Sequence, residues 1–314
     1  MSERSKAFFI NGGAGRVICS IPAFEKYQQE SNDKDYIIVC EGGTELYKGH
    51  PELDIRTFDI WHKNLFNDQL KHRDCITLEP YRIWEYYNQL CSLTQAFDIE
   101  MNGKGIRELD RPNLFLSKDE LLAGRKIVSE IKQKIKKDKV IVFQPFGRGI
   151  DYVDETLIDR SGRSFELKDV KKIIKKLQDS GYAVALMAEF KVDFTDAKLK
   201  DEVAIPEGLN LRQWAAVIKY SDYFLGCDSV GQHMSYSFEV PTTIVTGSTF
   251  PINISYPDCK YFDVLDMGEL HREYSPIRIT VDERVDRNNE NLMTMSEEIV
   301  DLIVKRILGN RDDK

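Results

Sequence analysis

Four short runs, Tyr36–Cys40 (YIIVC), Val140–Gln144 (VIVFQ), Tyr223–Cys227 (YFLGC) and Thr242–Thr246 (TTIVT), constrain this chain most. Each is nearly unbroken in apolar or β-branched residues. A strand that is apolar on both faces has helices on both sides, the situation of a parallel sheet in an α/β protein. The segments between them carry helical periodicity: Val17, Ile18, Ile21, Phe24 and Tyr27, then Leu167 to Ser180, Leu211 to Ser221 and Val230 to Phe238. Strand alternating with helix predicts a doubly wound parallel α/β sheet.

Ala7–Ile10, Ile55–Ile60, Cys75–Leu78 and Ala183–Ala188 complete the expected strands, and Arg82–Phe97 reads as one helix with Trp84, Tyr87, Leu90, Cys91 and Thr94 on a shared face. The amphipathic run Lys118–Lys137 reads as a helix, after which the alternation restarts at Val140. With 314 residues the chain has room for two domains, and we place them at 1–137 and 138–294. A last helix within 295–314, with Ile299, Leu302, Ile303 and Ile307 on its apolar stripe, fits against either one. Ligands of parallel α/β sheets bind beyond the carboxyl ends of the strands, so two such domains are expected to face a cleft lined by loops.

Composition narrows the partners. Lys and Arg total 44 against 52 Asp and Glu, a net charge of −8, and an acidic chain has no general attraction for phosphate backbones or anionic lipid. A nucleic-acid partner is therefore not expected. No apolar run approaches the ~20 residues of a membrane span, and the start lacks a secretory h-region, so a cytoplasmic protein is the expectation. The 6 cysteines are scattered without CxxC pairs and read as free thiols. His50, His72 and His271 have no partners at ligand spacing, and Asp33-Lys34-Asp35 precedes a strand and reads as a solvated turn, so neither metal nor cofactor is expected. Gly12-Gly13-Ala14-Gly15 is not the dinucleotide fingerprint, because the third glycine position of GxGxxG falls on Ile18.

The richest stretch is Cys227-Asp228-Ser229-Val230-Gly231-Gln232-His233, followed by Pro241 to Thr249 (PTTIVTGST). A buried strand delivers Asp228 and Ser229 to its carboxyl end, and the helix starting there presents backbone N–H groups and a partial positive charge suited to a phosphate or diphosphate. His233 stands about one turn further on. A capping residue followed by a core histidine has the same spacing, and both readings stay open at this point.

The run CDSVGQHMSYSFEVPTTIVTGST resembles the signature of the ADP-heptose:lipopolysaccharide heptosyltransferases, glycosyltransferase family 9. Further similarities lie at Phe9–Tyr27, at Gly49-His-Pro-Glu-Leu-Asp54, at Gln144-Pro-Phe-Gly147, at Gly162-Arg163-Ser164-Phe165 and at Gly208–Ala215, which together span most of the chain. The resemblance implies a GT-B fold and transfer of a sugar from a nucleoside-diphosphate donor to an acceptor hydroxyl, with inversion and without a metal. It places Gln144, Gly147, Arg163, Ser164, Asp228, Ser229 and His233 around the donor, with Gly231 and Gln232 offering amides and Leu209 beside the nucleobase. Arg163 would neutralise charge on the leaving diphosphate.

Two positions depart from the family pattern. Val230 stands where a glycine is expected, with Gly231 one place later. Arg16 occupies the position of the family's catalytic Asp, and an always-protonated guanidinium cannot accept the acceptor's proton. Three explanations compete: another base at the first domain's strand ends, with Glu41 first and His62 and Glu79 behind it; Arg16 gripping an acidic acceptor or the donor phosphates; or a non-catalytic sugar-nucleotide-binding protein. The aromatic run Trp84, Tyr86 and Tyr87 reads as buried against the sheet, with stacking on an acceptor sugar as the functional alternative.

Overall fold

The computed structural model describes residues 4–147, 150–153, 156–159, 161–190, 192, 203–273 and 291–309. The chain divides into two compact units, with the break between Ser117 and Lys118.

The first unit is built on four parallel strands, β1 (Lys6–Ile10), β2 (Ile37–Cys40), β3 (Thr57–Asp59) and β4 (Asp74–Leu78), in the order β3-β2-β1-β4. β2 is buried at every position, as its unbroken apolar run requires. Helix α1 (Ala14–Glu30) buries Val17, Ile18, Ile21, Phe24 and Tyr27, the stripe expected from their spacing. Phe8, Phe24, Tyr27 and Tyr36 interlock there, with Phe8 edge-on to Tyr27 at 5.0 Å, a favourable quadrupole geometry. On the opposite side, Leu65 and Leu70 cover a smaller cluster of Ala7, Ile37 and Val39.

Two expectations change here. Ile55 lies in a short helical turn and is 78% exposed, so the third strand begins at Thr57. The single helix over Arg82–Phe97 is instead α2 (Trp84–Tyr87), a break at Gln89 with φ of 62°, and α3 (Leu93–Asn102). Ser92 and Gln95 form a reciprocal capping box that starts α3 afresh, which a count of apolar spacing does not register. Tyr86 is buried, but Trp84 is 58% exposed, so the aromatic run is not a buried stripe.

The second unit begins with α4 (Lys118–Ile135) and holds a six-stranded parallel sheet, β5 (Lys139–Gln144), β8 (Tyr182–Leu186), β9 (Val203–Ala204), β10 (Tyr223–Cys227), β11 (Thr242–Thr246) and β12 (Phe262–Asp266). Its order is β12-β11-β10-β5-β8-β9, and a separate antiparallel hairpin joins β6 (Ile150–Val153) to β7 (Thr156–Asp159). The main helices are α5 (Leu167–Asp179), α6 (Leu211–Tyr220), α7 (Val230–Ser237), the short α8 (Pro251–Ile254) and α9 (Glu297–Gly309). Gly124 of α4 lies so close to α6 that an added Cβ would come within 2.6 Å of the Ala216 carbonyl carbon. That contact seats α4 in the second unit, whereas the sequence expectation drew the boundary at its far end. The last helix also joins this unit, burying Val300, Ile303, Val304 and Ile307, while Leu302 faces out.

Candidate functional site

In the second sheet the chain leaves β5 toward β8 and β9, then returns to the other side of β5 through β10 and β11. This reversal opens a crevice between the carboxyl ends of β5 and β10, the usual ligand position in open α/β sheets. Residues expected at the site from sequence converge there. Gln144 at the end of β5 donates through Nε2 to Ser229 Oγ at 3.1 Å, and its Oε1 accepts the Gly231 N–H at 2.9 Å. The Gly147 N–H donates to Ser164 Oγ at 2.9 Å. A Cβ on Gly147 would lie 3.8 Å from the Asp228 carbonyl oxygen, 3.8 Å from Ser164 Oγ and 4.0 Å from Arg163 Cζ, so four residues from three loops share one small volume.

Asp228 is buried, and its carboxylate is held by Gln232 Nε2 at 2.9 Å and by Arg163 Nη1 at 3.7 Å. Burial raises its carboxyl above the ordinary range, and Arg163, Thr249 and Gln232 oppose the rise. Arg163 keeps 29% of its side chain exposed, so a cation stands at the mouth of the crevice.

The Arg163 loop is organised by a residue that motif reading passed over. Asp159 accepts the N–H of Ser161 at 2.7 Å, of Ser164 at 2.8 Å and of Arg163 at 3.3 Å, and the Ser161 hydroxyl as well. Burial acts to raise its carboxyl, but the Ser161 and Ser164 donors outweigh it and hold the group below its usual range. An Asp followed by Ser at the second and fifth positions is an Asx-turn signal, and IDRSGRS carries it. The same loop docks on the segment after β11, where Ser248 N–H donates to Gly162 O at 3.2 Å and Ser248 Oγ to Ser161 O at 2.5 Å. Beneath it, Arg272 donates to Gly247 O at 2.8 Å and pairs with Asp266.

Two expectations look different in three dimensions, those for the amides at the start of α7 and for His233. The Gly231 N–H is engaged by Gln144 and the Gln232 N–H by Ser229 O at 3.3 Å, so both amides have partners at the start of α7. His233 is buried; its Nδ1 is 2.7 Å from Tyr256 OH, and Tyr256 stacks on Tyr236 at 3.6 Å. Burial lowers the imidazole pKa to about 4, which makes it a neutral core group. Leu209 is half-buried on the loop between β9 and α6.

The first unit has its own reversal, between β1 and β4. Arg16 occupies it: only 6% exposed, the side chain donates through Nη2 to Leu78 O at 2.9 Å, with Cζ 5.0 Å from the Tyr81 ring and 5.9 Å from Phe97. One strand over, Glu41 is exposed at the end of β2, and its Oε2 accepts the Gly12 N–H at 2.6 Å. His62 is exposed beyond β3, and Glu79 is half-buried after β4, its N–H donating to Glu100 Oε1 at 2.8 Å. Among the described residues no group of three or more His, Cys, Asp or Glu side chains is arranged to hold a metal ion. Nor is any described helix long and apolar enough to cross a membrane.

Two units, each built on a parallel sheet with flanking helices, are the arrangement of the GT-B fold. The structure of the glycosyl transferase family 9 protein from Veillonella parvula DSM 2008 is similar with a TM-score of 0.67 at 13% identity, covering 97% of this chain and 97% of that one. E. coli ADP-heptose LPS heptosyltransferase II gives 0.60 at 12% identity, over 97% and 98%. The E. coli heptosyltransferase WaaC with ADP gives 0.55 at 13% identity, over 98% and 99%. No protein-family model matches the sequence, and no curated protein matches it.

Proposed function

We propose that the chain is a glycosyltransferase that moves a sugar from a nucleoside-diphosphate donor to an acceptor hydroxyl. The observation that carries this reading is the convergence of Gly147, Arg163, Ser164 and Asp228 at the β5/β10 reversal, beside the start of α7. A half-exposed guanidinium next to a helix N-terminus suits a diphosphate, and it stabilises the negative charge that grows on the leaving group as the glycosidic bond breaks. Gly147, with no side chain, allows the diphosphate close to the backbone. Arg163 and the helix end supply the positive charge for a transfer without a metal, and inversion is what the resemblance to the heptosyltransferases implies. Two of the similar structures are heptosyltransferases, one of them with ADP, so ADP-sugars lead the donor candidates.

Glu41 is the base in this reading. It stands exposed at a strand's carboxyl end, while Arg16 is enclosed and serves to tie α1 to the end of β4. The engaged amides at the start of α7 make Gln144 a group that shapes the site. His233 supports α7 from within the core.

The enclosed Arg16 also favours a second reading, in which the fold binds a nucleotide-sugar without turning it over. Thermal-shift titration with ADP-, GDP-, UDP- and TDP-sugars tests donor binding, because a ligand selective for the native state raises its apparent stability. Release of nucleoside diphosphate tests turnover. Binding without release selects the second reading, and no stabilisation by any donor removes both.

A further inference from the structure

Asp228 and Arg163 are unequal partners. The Asp228 carboxylate is enclosed at the carboxyl end of β10, with 7% of the residue exposed, whereas the Arg163 side chain stands at the mouth of the crevice. Arg163 Nη1 lies 3.7 Å from Asp228 Oδ2, and among the described residues no second cation pairs with that carboxylate. The other charged and titratable groups nearby are engaged elsewhere. Asp159 accepts the N–H groups of Ser161, Arg163 and Ser164, and Arg272 pairs with Asp266 beneath Gly247. His233 of α7 is a neutral core group, and burial pushes the Cys227 thiol of β10 up, which keeps it uncharged. Gln232 touches Asp228 from α7: fully buried, it donates through Nε2 to Oδ1 at 2.9 Å, while its Oε1 has no hydrogen-bond partner. A half-turn of the amide exchanges these two atoms, so the same side chain donates to a carboxylate or accepts from a carboxylic acid.

We infer that donor binding is coupled to proton uptake: as a diphosphate engages Arg163, the Asp228 carboxylate takes one proton from solvent, and it gives that proton back when the nucleoside diphosphate leaves. A buried carboxylate whose counter-ion also meets the ligand has its charge state tied to that ligand. An oxygen bound to Arg163 Nη1 at hydrogen-bond distance lies within about 7 Å of Asp228 Oδ2. The diphosphate therefore shares the guanidinium and sets a like charge beside the carboxylate. Burial already raises this carboxyl, and Arg163 is the largest opposing influence, so dividing that influence moves the group further in the same direction. Gln232 accommodates the acid by turning its Oε1 toward the new O–H. Affinity falls as pH rises wherever the free protein holds Asp228 ionised and the complex holds it protonated, by at most about tenfold per pH unit, and is level on either side of that window. The pyrophosphate of a nucleotide-sugar is esterified at both ends and has no titrating proton near neutral pH, so the slope reports on the protein. This inference rests on the donor reading for its ligand.

The test is isothermal calorimetry of the full chain with ADP-glucose, GDP-mannose, UDP-glucose and TDP-glucose over about pH 5 to 8, each in two buffers of different ionisation enthalpy, which counts the protons taken up. The nucleotide-sugar that binds is expected to carry in up to one proton and to lose about three- to tenfold in affinity per pH unit across part of the range. Asp228→Asn is expected to abolish both the uptake and the slope, whereas His233→Asn keeps them. The proton count on the wild type decides the matter even where Asp228→Asn does not fold. Binding without proton uptake at any pH, uptake undiminished in Asp228→Asn, or uptake lost in His233→Asn overturns the inference and leaves the donor reading standing. Binding of none of the four nucleotide-sugars overturns the donor reading and the inference with it.

Discussion

Gly231 and Gln144 are fitted to one another: the Gly231 N–H meets Gln144 Oε1 at 2.9 Å, and a Cβ on Gly231 would lie 2.4 Å from that same oxygen. The Phe224 ring closes the other side at 2.5 Å. The glycine displaced by one position from the family pattern is therefore required where it stands. Val230, the residue found at the expected place, is the first residue of α7.

Gly231→Ala should cost about 1–3 kcal/mol through overpacking, and it should weaken nucleotide-sugar binding because Gln144 and Ser229 move with it. Urea denaturation with donor titration checks both. A variant as stable as wild type would show that α7 can shift freely, contrary to the fit described.

Asp159→Ala removes the shared acceptor of Ser161, Arg163 and Ser164. A destabilisation of about 1–3 kcal/mol is expected for the buried donors left unpaired, together with about a tenfold loss of donor affinity. Hydrogen exchange should speed up at residues 161–164 while strand β10 stays protected. Unaltered exchange there would mean the loop is held by its contacts with Ser248 alone.

Glu41→Gln keeps an oxygen able to accept the Gly12 N–H but cannot take up a proton. Turnover should fall by about a hundredfold or more, with donor binding intact. Full turnover in steady-state assays of the variant would pass the role to Glu79 or His62.

The buried His233 gives stability a definite pH dependence. Its pKa falls from 6.5 to about 4 on folding, so the unfolded chain binds a proton that the native state refuses within that window. Stability should decline as pH drops from 6.5 toward 4, by an upper bound on the order of 3 kcal/mol, and be indifferent to this group above 6.5. Asp228 acts with opposite sign, since its raised pKa makes its contribution fall as pH rises above 3.8. Comparing urea midpoints of wild type and His233→Asn from pH 4 to 7 isolates the histidine. Parallel curves would place its imidazole in contact with water.

Much of the architecture was legible along the chain. The runs YIIVC, VIVFQ, YFLGC and TTIVT became buried parallel strands because a strand covered on both faces favours apolar and β-branched residues throughout, the threonines among them finding hydrogen-bond partners such as Tyr223 OH for Thr243. Gln144 at the end of β5 and Ser229 after β10 meet in the structure, as the resemblance to the heptosyltransferases implied. Departures occurred where a short polar signal overruled periodicity. The Ser92–Gln95 box split one expected helix, and Asp159 shaped a loop in which Arg163 was the noted residue.

Sequence by itself determined the class of fold and the neighbourhood of the candidate site, since both follow from local pattern and from residues delivered to strand ends. Only tertiary structure decided that α4 belongs with the second unit, that Arg16 is enclosed between Tyr81 and Phe97, and that His233 faces Tyr256. Each of these depends on partners distant in the chain, Ala216 for Gly124, Leu78 for Arg16 and Tyr256 for His233, and close packing between such partners leaves no trace in the spacing of either one.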